Sequence, residues 1–191
     1  MTDDPLSAID GQCLYADLLG NAWVSLPAQI RETYFQGSPL SLSGHFTVTV
    51  GKTLVARAFQ WALRLPRADG VAPVLLRVTG SRSREVWSRS IGGWKLRTVQ
   101  TAGHGLLLEQ VGMLEFRVRL EPWDRGMRYA QQAVRVRLFG WRIRLPRCAA
   151  PRVTAFHLVA PPPHCLAVSV ILEAPGGALL VAYEGQVRRE G

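Results

Sequence analysis

The side chains best suited to chemistry lie on stretches where apolar and polar residues alternate. Glu85, Trp87, Arg89 and Ile91 occupy every second position, so in a β-strand they share one face. Trp87 and Ile91 indicate that this face points inward, which takes Arg89 towards the interior. A buried guanidinium has to be paired or hydrogen-bonded. It can also hold the carbonyl or carboxylate group of a ligand.

Glu109 is the carboxylate predicted to meet Arg89. Leu107 and Val111 flank it on its own face, so Glu109 is expected to point inward as well. Two interpretations stay open: an Arg–carboxylate pair that fixes strand register, which is favoured, and a polar anchor for a ligand. A catalytic acid or proton relay has less support, and the sequence identifies no catalytic residue.

Tyr183 completes the candidate set. It alternates with Val181 and Gly185, and a glycine in a strand permits close approach of a neighbouring backbone. The Tyr183 hydroxyl could orient a ligand, although a tyrosine hydrogen-bonded to a loop is the commoner case. The predicted ligand-binding residues are therefore Trp87, Arg89, Glu109 and Tyr183.

Motifs for other chemistry do not stand out. The four histidines are scattered, with no HxH or HExxH spacing, so neither a metal site nor a cofactor is predicted. There is no GxSxG elbow, and Gly103-His104-Gly105 lacks the strand-to-helix context of a phosphate loop. The three cysteines form no CxxC pair, which favours a reducing cytoplasm and makes Cys165 a small buried apolar residue.

The net charge of +9 invites a nucleic-acid interpretation, which the pattern of charges disfavours. Only two of the 23 basic residues are lysines, and the arginines are spread along the chain. Arg142 and Arg144 alternate with Trp141 and Ile143, the pattern of one wet and one dry face. We therefore predict no nucleic-acid binding, while an anionic ligand could still be attracted. The remaining tryptophans are expected in the core or at its rim: Trp61, Trp94, Trp123 and Trp141.

The chain is expected to form a single domain over residues 1–191, because this length suits one hydrophobic core. The acidic start, Met1 to Pro5, lacks a signal-peptide pattern. No apolar run approaches the roughly 20 residues that span a bilayer, so a soluble protein with no membrane insertion is predicted.

Helices are predicted only in the N-terminal half. Leu14, Leu18 and Leu19 recur at helical spacing, and a second helix starts at Pro27 with Ile30 and Tyr34 on one face. A third helix runs from Leu54 to Leu63. Its expected buried stripe consists of Leu54, Val55, Ala58, Phe59, Ala62 and Leu63.

The rest of the chain alternates with a period of two. A strand follows Gly44, and about nine or ten strands continue to Val187, joined by tight turns such as Gly92-Gly93. The absence of helices between them favours antiparallel pairing. We predict a mainly β (α+β) domain: an antiparallel meander curled into a barrel or half-barrel of the calycin or lipocalin type. The helix over 54–63 would cover the barrel, and such barrels can hold one small ligand.

The sequence resembles an uncharacterised bacterial family, the domain of unknown function 4166. The resemblance covers nearly the whole chain, through short motifs. They are Leu14-Tyr15, Leu18-Leu19-Gly20, Leu26-Pro27, Gly44, Leu65-Pro66, the signature Glu85-Val86-Trp87-Ser88-Arg89, Glu109, Gly112, Phe116, Gly140 to Pro146, Ala150-Pro151 and Tyr183-Glu184-Gly185.

This resemblance implies a bacterial protein with no assigned reaction. Members of the family also occur behind Rossmann domains that resemble saccharopine dehydrogenase, so a separate Rossmann-type partner protein is conceivable for this chain. Two positions depart from the family pattern. Ile91 stands where an aromatic is usual, and Phe156-His157 occupies a region where a glutamate is common.

Two functions are weighed. The leading hypothesis is a barrel cavity that binds a hydrophobic small molecule, with a cofactor-independent cyclase or isomerase of bacterial specialised metabolism as its catalytic version. The alternative is a non-catalytic lipid-binding or interaction domain that serves a Rossmann reductase. A flat open sheet, or an interior filled by its own side chains, would contradict the first hypothesis.

Overall fold

The computed structural model describes residues 13–35, 39–161 and 165–190. The acidic start, Pro162, Pro163 and His164 lie outside these residues. Helices occupy the chain before and just after the first strand. They are α1 (Leu14–Leu19), a 3₁₀ helix (Gly20–Ser25), α2 (Ala28–Phe35) and α3 (Leu54–Leu63).

Strands account for most of the remaining described chain. Their bounds are β1 (Leu40–Val50), β2 (Gly70–Ser81), β3 (Arg84–Ile91), β4 (Trp94–Gly103), β5 (Leu106–Val111), β6 (Leu114–Trp123), β7 (Gly126–Leu138), β8 (Trp141–Arg144), β9 (Arg152–Ala160), β10 (Cys165–Glu173) and β11 (Leu179–Arg189). β1 begins at Leu40, four residues before the predicted Gly44.

Ten of these strands close into an antiparallel barrel. Neighbours in sequence pair with one another from β1 to β7, the ladder continues through β9 and β10 to β11, and β11 pairs back onto β1. Closure pairs each of the ten ring strands with two neighbours, so the ring itself has no edge strand. The prediction of an antiparallel barrel is confirmed, and the structure distinguishes the closed form from the half-barrel.

The two ends of the barrel are covered differently. At the end where β2 and β4 finish, α1 and α2 close the interior, and the side chains of Tyr15 and Ile30 are completely buried there. We call this the plugged end. At the opposite end, where β1, β3, β5 and β7 finish, α3 follows β1 and leads to β2. We call this the α3 end.

The face by which α3 packs differs from the predicted stripe. Leu54 is 82% exposed, whereas Gln60 is only 3% exposed together with Ala56 and Leu63. The reason is hydrogen bonding: the Gln60 side-chain amide donates to the backbone carbonyls of Gly51 (2.9 Å) and Leu180 (2.8 Å) where two strands end. The expectation that α3 covers the barrel through Leu54, Val55, Ala58 and Ala62 is therefore wrong in its orientation, since these four residues are exposed.

β8 lies outside the ring and pairs only with residues 135–138, the last four of β7. We call Arg135–Arg144 the β7–β8 hairpin. All four β8 residues are exposed, so the predicted dry face of Trp141 and Ile143 is not buried. Of the other tryptophans, Trp61 is 73% and Trp123 is 48% exposed, so neither lies in the core.

β7 changes its inward face midway. Tyr129 points into the barrel, and so does Val134, although the two are five positions apart. The ladder with β6 shifts between Arg117 and Val118, which leaves Gln132 as the extra residue of a β-bulge. The bulge reverses the alternation. Before Gln132 the odd-numbered residues, such as Tyr129, face inward, and after it the even-numbered residues, such as Val134, do.

Among the described helices, none is long and apolar enough to cross a lipid bilayer. The three cysteines are free thiols, of which Cys13 and Cys165 are buried and Cys148 is exposed. Burial of Cys165 agrees with its predicted role as a small apolar residue.

Candidate functional site

A cavity of about 100 Å³ lies inside the barrel, and all ten barrel strands contribute to its wall. This volume is enough for about three water molecules. Aliphatic and aromatic side chains form most of the lining. The polar residues of the wall are Arg89, Thr98, Gln100, Glu109, Tyr129, His157 and Tyr183.

Arg89, Thr98 and Glu109 form one polar group on neighbouring strands, which we call the arginine cluster. Arg89 Nη1 donates to Thr98 Oγ1 at 2.8 Å, and the Thr98 hydroxyl donates to Glu109 Oε1 at 2.8 Å. Arg89 Nη2 reaches the same carboxylate oxygen at 3.4 Å. The Arg89 and Glu109 side chains are 11% and 21% exposed, so the pair is shielded from solvent without being sealed. The predicted Arg89–Glu109 contact therefore forms, with a threonine between the partners.

Arg89 keeps its charge in this setting. Burial alone lowers the pKa of the guanidinium, but the surrounding groups, led by Tyr183 and Glu109, together raise it, and the net shift is upward. Its CZ atom lies 5.2 Å from the centre of the Trp87 ring, a cation–π distance. The structure thus holds a permanent positive charge at the wall of a mostly apolar cavity.

Trp87 links the arginine cluster to the plugged end. It is 2% exposed, and its indole Nε1 donates to Glu85 Oε2 at 2.9 Å. Burial raises the pKa of the Glu85 carboxyl, an effect that the Trp87 hydrogen bond partly offsets. The Trp87 ring lies about as close to Tyr15 (6.3 Å) as to Tyr34 (6.2 Å).

Tyr183 lines the cavity on β11, and its ring stacks on Phe46 with 5.3 Å between the ring centres. Burial raises the pKa of its hydroxyl, which keeps that group neutral and able to donate a hydrogen bond. The four predicted residues Trp87, Arg89, Glu109 and Tyr183 thus all face one cavity.

A second polar group joins Tyr15, Tyr34, Tyr129 and His157, and we call it the tyrosine–histidine cluster. His157 Nδ1 contacts the Tyr129 hydroxyl at 3.1 Å and is hydrogen-bonded to the Tyr34 hydroxyl. The Tyr129 hydroxyl donates to that of Tyr15 at 3.4 Å, which in turn donates to Gln100 Oε1 at 2.6 Å. The network runs from the plugged end to the cavity, where Tyr129, His157 and Gln100 are part of the wall.

Burial determines the protonation of this cluster. Removal from water, followed by the positive charge of Arg89, lowers the pKa of His157 to about 3. Burial also raises the tyrosine pKa values well above their ordinary range. At neutral pH the cluster is therefore an uncharged set of hydrogen-bonding groups.

An outer cleft of about 800 Å³ lies against the same wall at the α3 end. Arg89 and Leu96, cross-strand partners on β3 and β4, line both the cleft and the inner cavity. Arg64, Lys95 and Arg97 also line the cleft. The inside of this wall is thus largely apolar and its outside is cationic.

The tyrosine–histidine cluster is not apparent from the sequence. His157 was one of four scattered histidines, and Tyr129 lies beyond the bulge that reverses β7. The available signals were Tyr15 and Tyr34 on the buried faces of two short helices. Nothing local showed that these helices would enter the barrel. Within residues 13–35, 39–161 and 165–190, no three His, Cys, Asp or Glu side chains lie close enough to share a metal ion.

A closed ten-stranded antiparallel barrel, plugged by helices and lined by an arginine cluster, defines the class of this protein. The sequence profile of the family described as "Domain of unknown function (DUF4166)" matches residues 26–187. The chain belongs to this family, as its motifs indicate.

No curated protein matches the chain. A solved structure of a protein of unknown function from the DUF3598 family of Nostoc punctiforme is similar at 10% identity, with a TM-score of 0.44. The match covers 78% of this chain and 46% of that one, so this chain spans about half of its length.

Proposed function

We propose that the barrel binds a small amphipathic molecule, with its apolar part in the cavity and a carboxylate or carbonyl group beside Arg89. The observation that carries this proposal is the position of Arg89, a shielded charge at the boundary between an apolar cavity and a cationic cleft. A guanidinium has five N–H donors, more than Thr98 and Glu109 require. A ligand oxygen is the natural acceptor for the others.

The volumes limit the ligand. Pockets for drug-sized ligands measure roughly 300–1,000 Å³, whereas the cavity measures about 100 Å³. The enclosed part of a ligand is therefore limited to about the size of a small ring, because the cleft of about 800 Å³ lies on the other side of the paired β3–β4 wall. This geometry favours a slender molecule whose polar end stays near the arginines.

Titration calorimetry with straight-chain carboxylates of about four to twelve carbon atoms, each compared with its methyl ester, tests the proposal. We expect saturable binding with an optimum chain length and a preference for the acid. Arg89→Ala should lower affinity for the preferred acid by about tenfold to a hundredfold, since a hydrogen bond to a charged group contributes roughly 1.5–3 kcal/mol. Arg119→Ala, at an exposed position on β6, is the matched control and should bind as the wild type does.

A double variant separates an anchor from a register pair. Arg89→Met with Glu109→Met removes both charges, so it should recover much of the stability that Arg89→Ala loses. If Arg89 anchors a ligand, the double variant stays deficient in binding. Affinity restored together with stability would assign Arg89 a structural role, and native mass spectrometry without any bound acid or ester would reject the pocket.

The catalytic version of the proposal, a cofactor-independent cyclase or isomerase, would draw on the tyrosine–histidine cluster. Tyr129 borders the cavity, and its hydroxyl can polarise a ligand carbonyl. General acid–base catalysis works best when the pKa of the group lies near the working pH. His157 at about 3 and tyrosines raised above their usual range fit that role poorly. We therefore favour binding over proton transfer, and Tyr129→Phe tests the difference, since only a catalytic role requires turnover to fall while affinity is kept.

A non-catalytic domain that serves a separate Rossmann-type partner remains the second candidate. It predicts that a partner reductase gains activity when the barrel is added, whether or not Arg89 is present.

A further inference from the structure

The β7–β8 hairpin has two chemically opposite faces. Its cross-strand pairs are Val136 with Ile143 and Leu138 with Trp141 on one face, and Arg135 with Arg144 and Arg137 with Arg142 on the other. The ladder is therefore apolar on one side and entirely arginine on the other. The barrel wall does not require this separation of apolar residues and arginines, since β8 lies outside the ring.

The apolar side chains of the hairpin stand in solvent. Phe139 at its tip is 99% exposed, Trp141 is 73% and Ile143 is 54%. Together with Leu138 they form a convex apolar tip, not a groove. An exposed apolar patch of this kind marks an interaction site.

The backbone at the tip gives independent evidence. Phe139 has φ 48° and Gly140 has φ 86°, the two positive values of a type I′ hairpin turn. Asparagine, aspartate or glycine is preferred at the first of these positions, because a bulky side chain with positive φ is strained. A fully exposed phenylalanine there makes no packing contribution that would offset the strain. The turn would form better with asparagine, so the aromatic ring serves contact with something else.

The positive charge of the β7–β8 hairpin indicates what kind of surface it contacts. The hairpin carries four arginines, with Glu115 opposite Arg135 as the carboxylate in register, which leaves a net charge of +3. Residues 125–172 contain no aspartate or glutamate. Strand residues are spaced about 3.4 Å apart, so Arg137 and Arg142 follow one row behind Leu138 and Trp141. An inserted apolar tip with arginines at headgroup depth matches the layering of an anionic bilayer surface.

We propose that the β7–β8 hairpin docks this protein on the surface of membranes that contain anionic lipids, tip first and without spanning them. The exposed apolar residues of α3, Leu54 and Trp61, lie at the same end of the barrel and extend the contact. The proposal does not depend on the cavity holding a ligand.

Co-sedimentation with vesicles tests the proposal. Vesicles of phosphatidylcholine with about one-third phosphatidylglycerol should bind the protein in a salt-sensitive way, and pure phosphatidylcholine should bind it at least tenfold more weakly. Phe139→Asn should lower the partition coefficient at least fivefold without lowering the melting temperature, because asparagine suits the turn. Arg142→Gln with Arg144→Gln should lower it by about tenfold to thirtyfold and reduce the salt dependence.

Matched controls come from the plugged end of the barrel. Trp123 is an exposed aromatic with Arg128 over its ring at 5.3 Å, and Arg125 is exposed beside it. Trp123→Ala and Arg125→Gln should bind vesicles as the wild type does. Equal binding to both kinds of vesicle, no binding to either, or a Phe139→Asn variant that binds normally would overturn the proposal. Capture by immobilised polyglutamate without vesicle binding would do so too, in favour of an acidic protein partner.

Discussion

His157 illustrates how burial controls chemistry at a single residue. The imidazole is 8% exposed and hydrogen-bonded to the Tyr34 hydroxyl, and burial together with the nearby charge of Arg89 favours its neutral form. The folded protein therefore resists protonation of this group, whereas the unfolded chain takes up a proton near pH 6.5.

We predict that this difference makes stability depend on pH. His157 has a folded-state pKa of about 3, below its unfolded value, so the unfolded state binds more protons between pH 6.5 and 3. Its contribution to stability is complete above pH 6.5 and is lost as the pH falls, by up to about 5 kcal/mol. Urea denaturation of the wild type and of His157→Gln across this range measures it. Glu85, whose pKa is raised, gives stability the opposite dependence on pH. Because Glu85 is present in both proteins, its effect cancels when the two curves are subtracted. Parallel curves for the two proteins would contradict the prediction.

Local sequence was sufficient to predict that the side chains of Trp87, Arg89, Glu109 and Tyr183 face the interior of the barrel. Each lies in a strand that alternates without interruption, so its neighbours reveal its face. It was insufficient for Tyr129, because the bulge at Gln132 reverses the phase of β7. Tyr34 and His157 meet from positions 123 residues apart, which no pattern within either segment encodes.

At the scale of elements, the orientation of α3 shows that hydrogen bonding of buried backbone carbonyls prevails over burial of apolar side chains. Turning Gln60 inward satisfies two carbonyls at strand ends, and an unpaired buried carbonyl costs roughly 1–3 kcal/mol. Burial of Leu54 and Val55 instead would have removed this donor from the Gly51 carbonyl, and would have left the Leu180 carbonyl with only the Gly51 N–H, at 3.0 Å. A periodicity analysis weights only the apolar residues, which is why it predicted the wrong face.

We predict that Gln60→Ala destabilises the protein by about 2–4 kcal/mol and loosens α3 ahead of the barrel. The loss should be visible as faster amide exchange in Leu54–Leu63, with the β1–β11 ladder still protected. Arg57→Ala, at an exposed position on the same helix, should change neither quantity. Uniform loss of protection throughout the barrel would show that α3 is not a separate cooperative unit.

The alternation of Trp141 and Ile143 with Arg142 and Arg144 predicted a strand, and that much is confirmed. Its alternation was interpreted as one buried face. Alternation reports only that two faces differ, and whether the apolar face is covered depends on what lies opposite it. Among the described residues nothing covers this face, since Trp141 is 73% and Ile143 is 54% exposed.

For the whole molecule, closure depends on the seam between β1 and β11. Its partners are far apart in sequence, as with Phe46 and Gly185. Gly185 is required there by space: a Cβ atom at this position would lie 2.0 Å from the His45 carbonyl oxygen. The expectation that Gly185 permits close backbone approach is confirmed.

We predict that Gly185→Ala destabilises the barrel by at least about 2 kcal/mol, because backbone must move at the closing seam. Thermal and urea denaturation should show one cooperative transition at a lower midpoint. Gly103→Ala is the control, since its Cβ would meet only the flexible end of Leu108, 2.7 Å away, and a small change is expected. Equal effects of the two substitutions would show that the seam is no more constrained than a strand end.

The global architecture was more predictable than its closure. Regular spacing of short strands with no helix between them requires antiparallel neighbours, and so many strands in one sheet favour curling. The pairing of β1 with β11 could not be read from either strand. It depends on the accumulated twist of all the strands between them.

The distribution of thiols has a practical consequence. Two of the three cysteines are enclosed, and Cys148 alone is accessible, in the connection from β8 to β9. A maleimide dye would therefore attach at one site of the unmodified chain, a few residues from the β7–β8 hairpin and away from the cavity lining. The protein carries its own handle for fluorescence or spin labelling.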